Sequence, residues 1–363
     1  MEALGQSEAY WVYIGTYAPE GRDSLYIFHF DVREGRLTSH GSIDAGANPS
    51  FLALDQGGRY LYAVNEAGEG AVSAFEVDPS SGGLRFLNRE PSGGAAPCHL
   101  SVDAARAQLL VANYSGGTVS VLPIEPDGRL GAPAAVIEHR GRSVHPRRQT
   151  QPHPHAIVIG PGGRFAFVPD LGLDAIAAYR IESGGLAPLE PPTAAVHPGA
   201  GPRHIAFHPS GRWAYVINEL DSTVTHFDYD ADTGSLRLVE SVTTLPAGFA
   251  GVNHPAEIAS HPSGGYLYAS NRGHDSLAIY RIDSGTGRLS ACGHAPTGGR
   301  TPRHFALDPT GRWLLAENQE SDLIVPLRID AAKGALVPSA PAVSVPRPVC
   351  AVWRPVARSG SPA

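Results

Sequence analysis

The sequence predicts an all-β fold: a seven-bladed β-propeller, its last blade closed by N-terminal strands pairing with the C-terminal strand. Three observations predict it. One strand–turn–strand unit recurs along the chain. The turn formers, 42 glycines and 32 prolines among 363 residues, are spread through the chain rather than bunched. The two chain ends carry complementary fragments of one unit. Evenly spread turn residues are what many short strands require, and a period of about 47 residues suits a four-stranded blade.

The unit runs as a proline, polar residues, an apolar strand, a Pro-x-Gly-Arg turn, a second apolar strand, then Asn with a polar neighbour. One clear copy goes from Pro202-Arg203-His204 through His208-Pro209-Ser210-Gly211-Arg212-Trp213 to Asn218-Glu219. Another goes from Pro302-Arg303-His304 through Asp308-Pro309-Thr310-Gly311-Arg312-Trp313 to Asn318-Gln319. Further copies open at Pro49, Pro97, Pro154 and Pro255, and a last one at Pro348 stops after one strand, Val349 to Trp353. Trp11 to Thr16 supplies that unit's second strand and Leu25 to Phe30 its third. Six whole units and one shared unit make seven. Sharing a blade between the termini pairs edges that would otherwise template aggregation. A β-solenoid or a two-sheet sandwich leaves the complementary ends unexplained. The chain, 1–363, therefore reads as one domain with loose ends at about 1–8 and 356–363.

The totals exclude several classes. A net charge of −7 argues against nucleic acid or an anionic membrane as partner. Cys98, Cys292 and Cys350 are too few and too scattered for a disulfide framework or a Cys-based metal motif. The first residues show no signal-peptide pattern, and no apolar run is long enough to cross a bilayer. A cytoplasmic protein is expected. No P-loop and no Gly-x-Ser-x-Gly nucleophile elbow occurs, which sets aside nucleotide-dependent and serine-hydrolase chemistry.

Strand register places a site. Each unit's first two strands form an antiparallel hairpin. Residues just after the repeat proline and those 16 or 17 positions later therefore share one mouth of the central channel. After the prolines come Cys98-His99, His155, Arg203-His204, Ala256-Glu257 and Arg303-His304. At the hairpin ends come Asn65-Glu66, Asn113-Tyr114, Asp170-Leu171, Asn218-Glu219, Asn271-Arg272 and Asn318-Gln319. Alternation along a strand lets only about half of these face the channel. The turns at the other mouth are uniform, as architecture requires, whereas this mouth is varied and ionisable. The longest interval inserts a basic segment, Glu138 to His153, at the same mouth, where it could form a flap guiding an anion inward. A second, smaller insertion spans Leu245 to His254.

Arginines at equivalent mouth positions, Arg203, Arg272 and Arg303, suit a small anion, because a guanidinium makes paired, charge-assisted hydrogen bonds to phosphate or carboxylate. Salt bridges between blades are the alternative use. His155 and Glu219 are the acid–base candidates for opening a lactone, with an Arg or Asn stabilising the oxyanion. Arg272, Arg303, His99, His204, Asn113 and Arg148 are expected to bind the substrate. A metal held by His153, His155 and Glu219 or Asp170 is the competing arrangement. The expectation is no metal and no cofactor.

The sequence resembles the β-propeller lactonase family. The resemblance runs from Tyr13-Ile14-Gly15-Thr16-Tyr17 through Tyr62-Ala63-Val64-Asn65-Glu66, Pro97-Cys98-His99 and Val111 to Gly117. It is strongest from Gly141 to Gln149 and at Pro152-His153-Pro154-His155. It continues through Asp170 to Asp174, Gly201-Pro202-Arg203-His204, Asn271-Arg272-Gly273 and Pro302-Arg303-His304. It implies hydrolysis of 6-phosphogluconolactone in the pentose phosphate pathway. A small anionic lactone, phosphosugar or carboxylate, is then the partner. A related fungal muconate-lactonising enzyme implies catalytic roles for His155, Arg203 and Glu219. The sequence departs from the family pattern at His145, at Pro154, and at Glu317 and Gln319 around Asn318, where an apolar residue usually precedes the Asn. Another sugar lactonase, a carboxymuconate-type cycloisomerase and a non-catalytic propeller scaffold are the alternatives.

Overall fold

The computed structural model describes residues 7–356. They form seven antiparallel sheets of four or five strands. Blade 1 comprises Leu52–Leu54, Tyr60–Asn65, Ala71–Val77 and Leu84–Pro91; blade 2 comprises Pro97–Asp103, Gln108–Asn113, Thr118–Pro123 and Ala135–Glu138. Blade 3 comprises Val158–Ile159, Phe165–Asp170, Ala175–Glu182 and Gly185–Ala195; blade 4 comprises Pro202–Phe207, Trp213–Asn218, Thr223–Tyr229 and Leu236–Thr243. Blade 5 comprises His254–Ser260, Tyr266–Arg272, Ser276–Ile282 and Leu289–Pro296. Blade 6 comprises Pro302–Leu307, Trp313–Asn318, Leu323–Ile329 and Leu336–Pro338, with Val343–Ser344 also on its third strand. Blade 7 joins the two ends: Pro348–Pro355 is its first strand, followed by Ala9–Thr16, Leu25–Asp31 and Arg36–Ile43.

Closure follows the sequence expectation. Tyr13 pairs with both Val352 and Ile27, so the N-terminal strand lies between the C-terminal strand and its own hairpin partner. The loose ends expected at about 1–8 and 356–363 fall mostly outside the described residues. Within them, the Val32 N–H donates to Glu8 O and the Val356 N–H to Ala9 O.

Apolar residues gather in one cluster at each junction between neighbouring blades. A recurrent contact reinforces several junctions. A tyrosine in one blade's second strand donates to a turn glycine carbonyl of the next blade: Tyr62 to Gly128, Tyr215 to Gly287, Tyr268 to Gly334 and Tyr13 to Gly82. At Gly287 an added Cβ would lie 2.5 Å from the Trp213 ring, and the backbone has φ +73°. Only glycine meets both conditions.

A chain ended before Pro348 lacks the strand that closes the ring. It leaves the Ala9–Thr16 edge open and exposes the core faces of blades 6 and 1. The expected result is aggregated protein without a cooperative melting transition, checked by soluble yield and circular dichroism against the full chain.

The register expectation holds in detail. Pro97 pairs with Asn113, Pro202 with Asn218, Pro255 with Asn271 and Pro302 with Asn318, and a single bridge joins Pro154 to Asp170. The alternation expectation does not hold. Each of the five longer first strands has a bulge just after its proline. One extra residue is absorbed there, so consecutive side chains escape strict alternation. Arg203 and His204 are both buried as a result, as are Cys98 and His99.

Candidate active site

The bulged starts of the first strands and the ends of the second strands meet at one mouth of the channel. Glu219, just beyond the second strand of blade 4, is the hub. Its Oε1 accepts from Arg148 Nη2 at 2.5 Å and its Oε2 from Arg272 Nη2 at 2.8 Å, while Arg203 Nε lies 3.3 Å from Oε2. Two of the arginines are also tied to blade 5. Arg203 Nη1 donates to Ala256 O at 2.6 Å and Arg272 Nε to His254 O at 2.9 Å. Burial alone would raise the Glu219 carboxyl. The Arg272, Arg203 and Arg148 guanidinium groups outweigh it and hold the carboxyl far below its ordinary range. Glu219 is a fixed anion that positions arginines.

Arg303 is different. Its guanidinium lies over the Tyr17 ring, 5.1 Å from the centroid, and no carboxylate pairs with it among the described residues. Tyr17 and Ser50 instead hold Glu66 Oε2 at 2.8 and 2.5 Å. Arg303 is half-buried, and Glu66 and Glu219 favour its charge from a distance without forming an ion pair, which leaves its hydrogen-bond donors uncommitted to a carboxylate.

His155 begins the inner part of blade 3, its N–H donating to Pro169 O. Its Nδ1 is 3.8 Å from Cys98 Sγ, and its ring meets His204 edge-on at 5.4 Å. Burial first, then Arg203, His204 and Arg303, push its pKa well below the ordinary value. The imidazole is therefore neutral near pH 7. Cys98 moves the other way: burial raises its pKa, so it stays a thiol rather than a nucleophile. His204 donates from Nδ1 to Glu257, 3.1 and 3.2 Å from its two oxygens. Its pKa falls to about 4, chiefly through burial, and Glu257 sits at about 2, since His204, His304 and Arg203 outweigh its own burial. His99 stacks on Phe51 at 4.0 Å and accepts the Ile157 N–H at Nδ1, which places it behind Phe51. A small cavity, lined by Cys98, Arg203, His204, Glu257, Arg303 and His304 among others, opens between these groups. A roomier concavity lies elsewhere, beside Glu20 and Arg89, where the charges already pair with each other at 3.0 Å.

Two expectations are corrected, and one competing arrangement is tested. Asn113 does not reach the mouth. It is wholly buried, and its Nδ2 donates to Ser92 O, Thr118 Oγ1 and Ser120 Oγ, so the repeat Asn here ties strands together. The basic insertion is pinned rather than flap-like. His139 Nδ1 bonds Asp170 at 2.7 Å, Ser143 Oγ donates to Asp174 at 2.5 Å, Gln149 Nε2 donates to Leu171 O, and the His153 N–H donates to Asp170. These anchors hold Arg148 against Glu219. The metal alternative loses its ligands: His153 stacks on Tyr114 and bonds its carbonyl, and Asp170 is committed to His139. No group of three or more metal-ligating side chains occurs among the described residues. Sequence reasoning missed the roles of Tyr17, Glu66, Glu257 and Glu317. The register already places Glu66 and Glu257 at the mouth, and the departure at Glu317 is the further signal.

Comparison with known proteins gives a consistent result. A family model described as lactonase, 7-bladed β-propeller, matches residues 11–353. A 6-phosphogluconolactonase of Bacillus subtilis is 36% identical over 292 residues, which cover 80% of this chain and 83% of that protein. A protein of the same name from Formosa agariphila is 31% identical over 302 residues, 81% of this chain and 85% of its own. Among solved structures, a periplasmic gluconolactonase of Pseudomonas aeruginosa superposes with a TM-score of 0.91 at 30% identity, covering 96% of this chain and 100% of its own.

Proposed function

Because the chain belongs to the seven-bladed β-propeller lactonase family, we propose that it hydrolyses 6-phosphogluconolactone to 6-phosphogluconate, a step of the pentose phosphate pathway, in the cytoplasm. The observation that carries this reading is the charge pattern of the mouth. Three guanidinium groups share Glu219, Arg303 makes no ion pair of its own among the described residues, and neutral His155 stands beside them. Arg303 takes the substrate's phosphate, with the exposed side of Arg148 at the rim. His155 takes a proton from water as the water attacks the lactone carbonyl. Arg203 faces the oxygen that becomes negative, and its charge favours that state in a site shielded from bulk water. Glu219 keeps Arg148, Arg203 and Arg272 in place. The side chains suffice for this step, which needs no cofactor. The unpaired thiols of Cys98, Cys292 and Cys350 suit a reducing compartment. No helix among the described residues is long and apolar enough to cross a membrane.

The Pseudomonas structure named for gluconolactone favours a second reading, an unphosphorylated sugar lactone as substrate. A panel of 6-phosphogluconolactone, gluconolactone and a carboxymuconolactone separates the readings. Correcting for spontaneous opening, kcat/KM is expected to be highest for the phosphorylated lactone. Equal values with and without the phosphate would reject the phosphosugar assignment, and turnover of the carboxymuconolactone alone would point to cycloisomerase chemistry.

A further inference from the structure

Blade 6 contains a buried carboxylate that the fold does not require. Three units carry His at the position just after the bulge: His99, His204 and His304. Their cross-strand partners are Ala112, Ile217 and Glu317. Two blades fill the partner position with an apolar residue, which avoids the cost of desolvating a charge. Blade 6 places a fully buried glutamate there. The bulge sets this pairing, because without the extra residue His304 would face Ala316 rather than Glu317.

The contact is well made. His304 Nδ1 lies 2.8 Å from Glu317 Oε2, while His304 Nε2 has only a 3.4 Å approach to Glu257 Oε2. His304 lines the small cavity together with Arg203 and Cys98, and Cys98 in turn touches His155. One imidazole nitrogen is thus anchored and the other looks toward the site. This is the arrangement in which a carboxylate orients a histidine for proton transfer. We propose that His304, held by Glu317, is the general acid that protonates the departing ring oxygen of the lactone. The proposal rests on the lactonase reading above and places the acid on a second histidine, separate from the base His155.

The two histidines are driven apart in proton affinity. Burial would lower His304, but Glu257 and Glu317 outweigh it and raise its pKa, whereas His155 is lowered. Opposed environments of this kind separate an acid from a base. In the reaction, a water proton passes to His155 and the water oxygen bonds the carbonyl carbon. The carbonyl π pair moves onto its oxygen, facing Arg203. On collapse the ring C–O bond breaks with its electron pair on the ring oxygen, which takes the Nε2 proton of His304. His155 then releases its proton to solvent and His304 regains one. The net change is one water added to the lactone.

kcat/KM is expected to rise with pH as His155 loses its proton and to fall as His304 loses its own. The other ionisable groups facing His304 are Glu257, Arg203, His204 and His99, with the Cys350 thiol beside Glu317. Of these only the Cys350 thiol has Glu317 among the causes of its shift, and burial is the larger cause that keeps it protonated. Glu317→Gln removes the anion against Nδ1, so the alkaline limb should move down by about one pH unit while the acid limb stays. Glu317→Leu copies the apolar solution of blade 4, keeps the fold where glutamine fails, and should shift the same limb. His304→Gln should lower kcat about 100-fold with KM little changed. An unmoved alkaline limb in the Glu317 variants, or more than half of wild-type kcat in His304→Gln, overturns the acid role and leaves the lactonase reading standing. A wild-type protein inactive on every lactone of the panel overturns both.

Discussion

Replacing Glu219 with alanine is expected to cost more than any other single substitution at the mouth, in stability as well as activity. The side chain is buried and joins Arg148, Arg203 and Arg272. Without it, three guanidinium groups face one another, two of them in a site nearly closed to water. Removing one partner of a buried ion pair costs about 3–5 kcal/mol, because the remaining charge has lost its compensation. Thermal unfolding should therefore begin several degrees lower. Lactone turnover should fall with it, since the arginines no longer hold their positions. The pH dependence has a definite sign. The carboxyl is depressed in the folded state, so its contribution is complete above the ordinary carboxylate pKa and fades as pH falls below it. Wild type and Glu219→Ala should thus differ most in melting temperature near neutrality and converge in strong acid. An equal gap at all pH values would mean that lost packing, not lost charge, explains the change.

His155→Ala should leave the melting temperature close to wild type and reduce kcat by about 10²–10⁴-fold. Burial and the nearby arginines hold the imidazole neutral well below its ordinary pKa. The wild-type acid limb should accordingly lie below about pH 6.5, and the residual activity of the variant should lack it. Steady-state rates across a pH series decide the point. Full retained activity would remove His155 from the chemistry, and the neighbouring neutral imidazole, His204, would be the next base to test.

Much of this was legible in the sequence because repetition exposes register. The 16-residue spacing from proline to asparagine appeared as paired residues in blade after blade, and Arg203, Glu219, Arg272 and Arg148 converged from four separate segments. What stayed hidden depended on single residues. A bulge adds one residue without leaving a clear sequence mark, so alternation could not tell that Arg203 and His204 are both buried. Asn113 looked like a mouth residue because its backbone is at the mouth, but its amide turns toward Ser92 and Ser120. The basic insertion looked mobile by composition. Its anchors are a histidine, a serine and a glutamine whose partners lie in blade 3, beyond the reach of local reasoning.

The bulge after the proline of the longer first strands has a consequence for how such a ring can diversify. It releases one position in each of those blades from the two-residue rhythm that commits every other side chain either to a neighbouring blade or to the axis. A change at that position alters the reactive inventory of the opening without disturbing the joints that hold the circle shut. The molecule thus keeps a row of independently editable seats around a frame that must itself stay constant, filled by Cys98 in blade 2, Arg203 in blade 4 and Arg303 in blade 6.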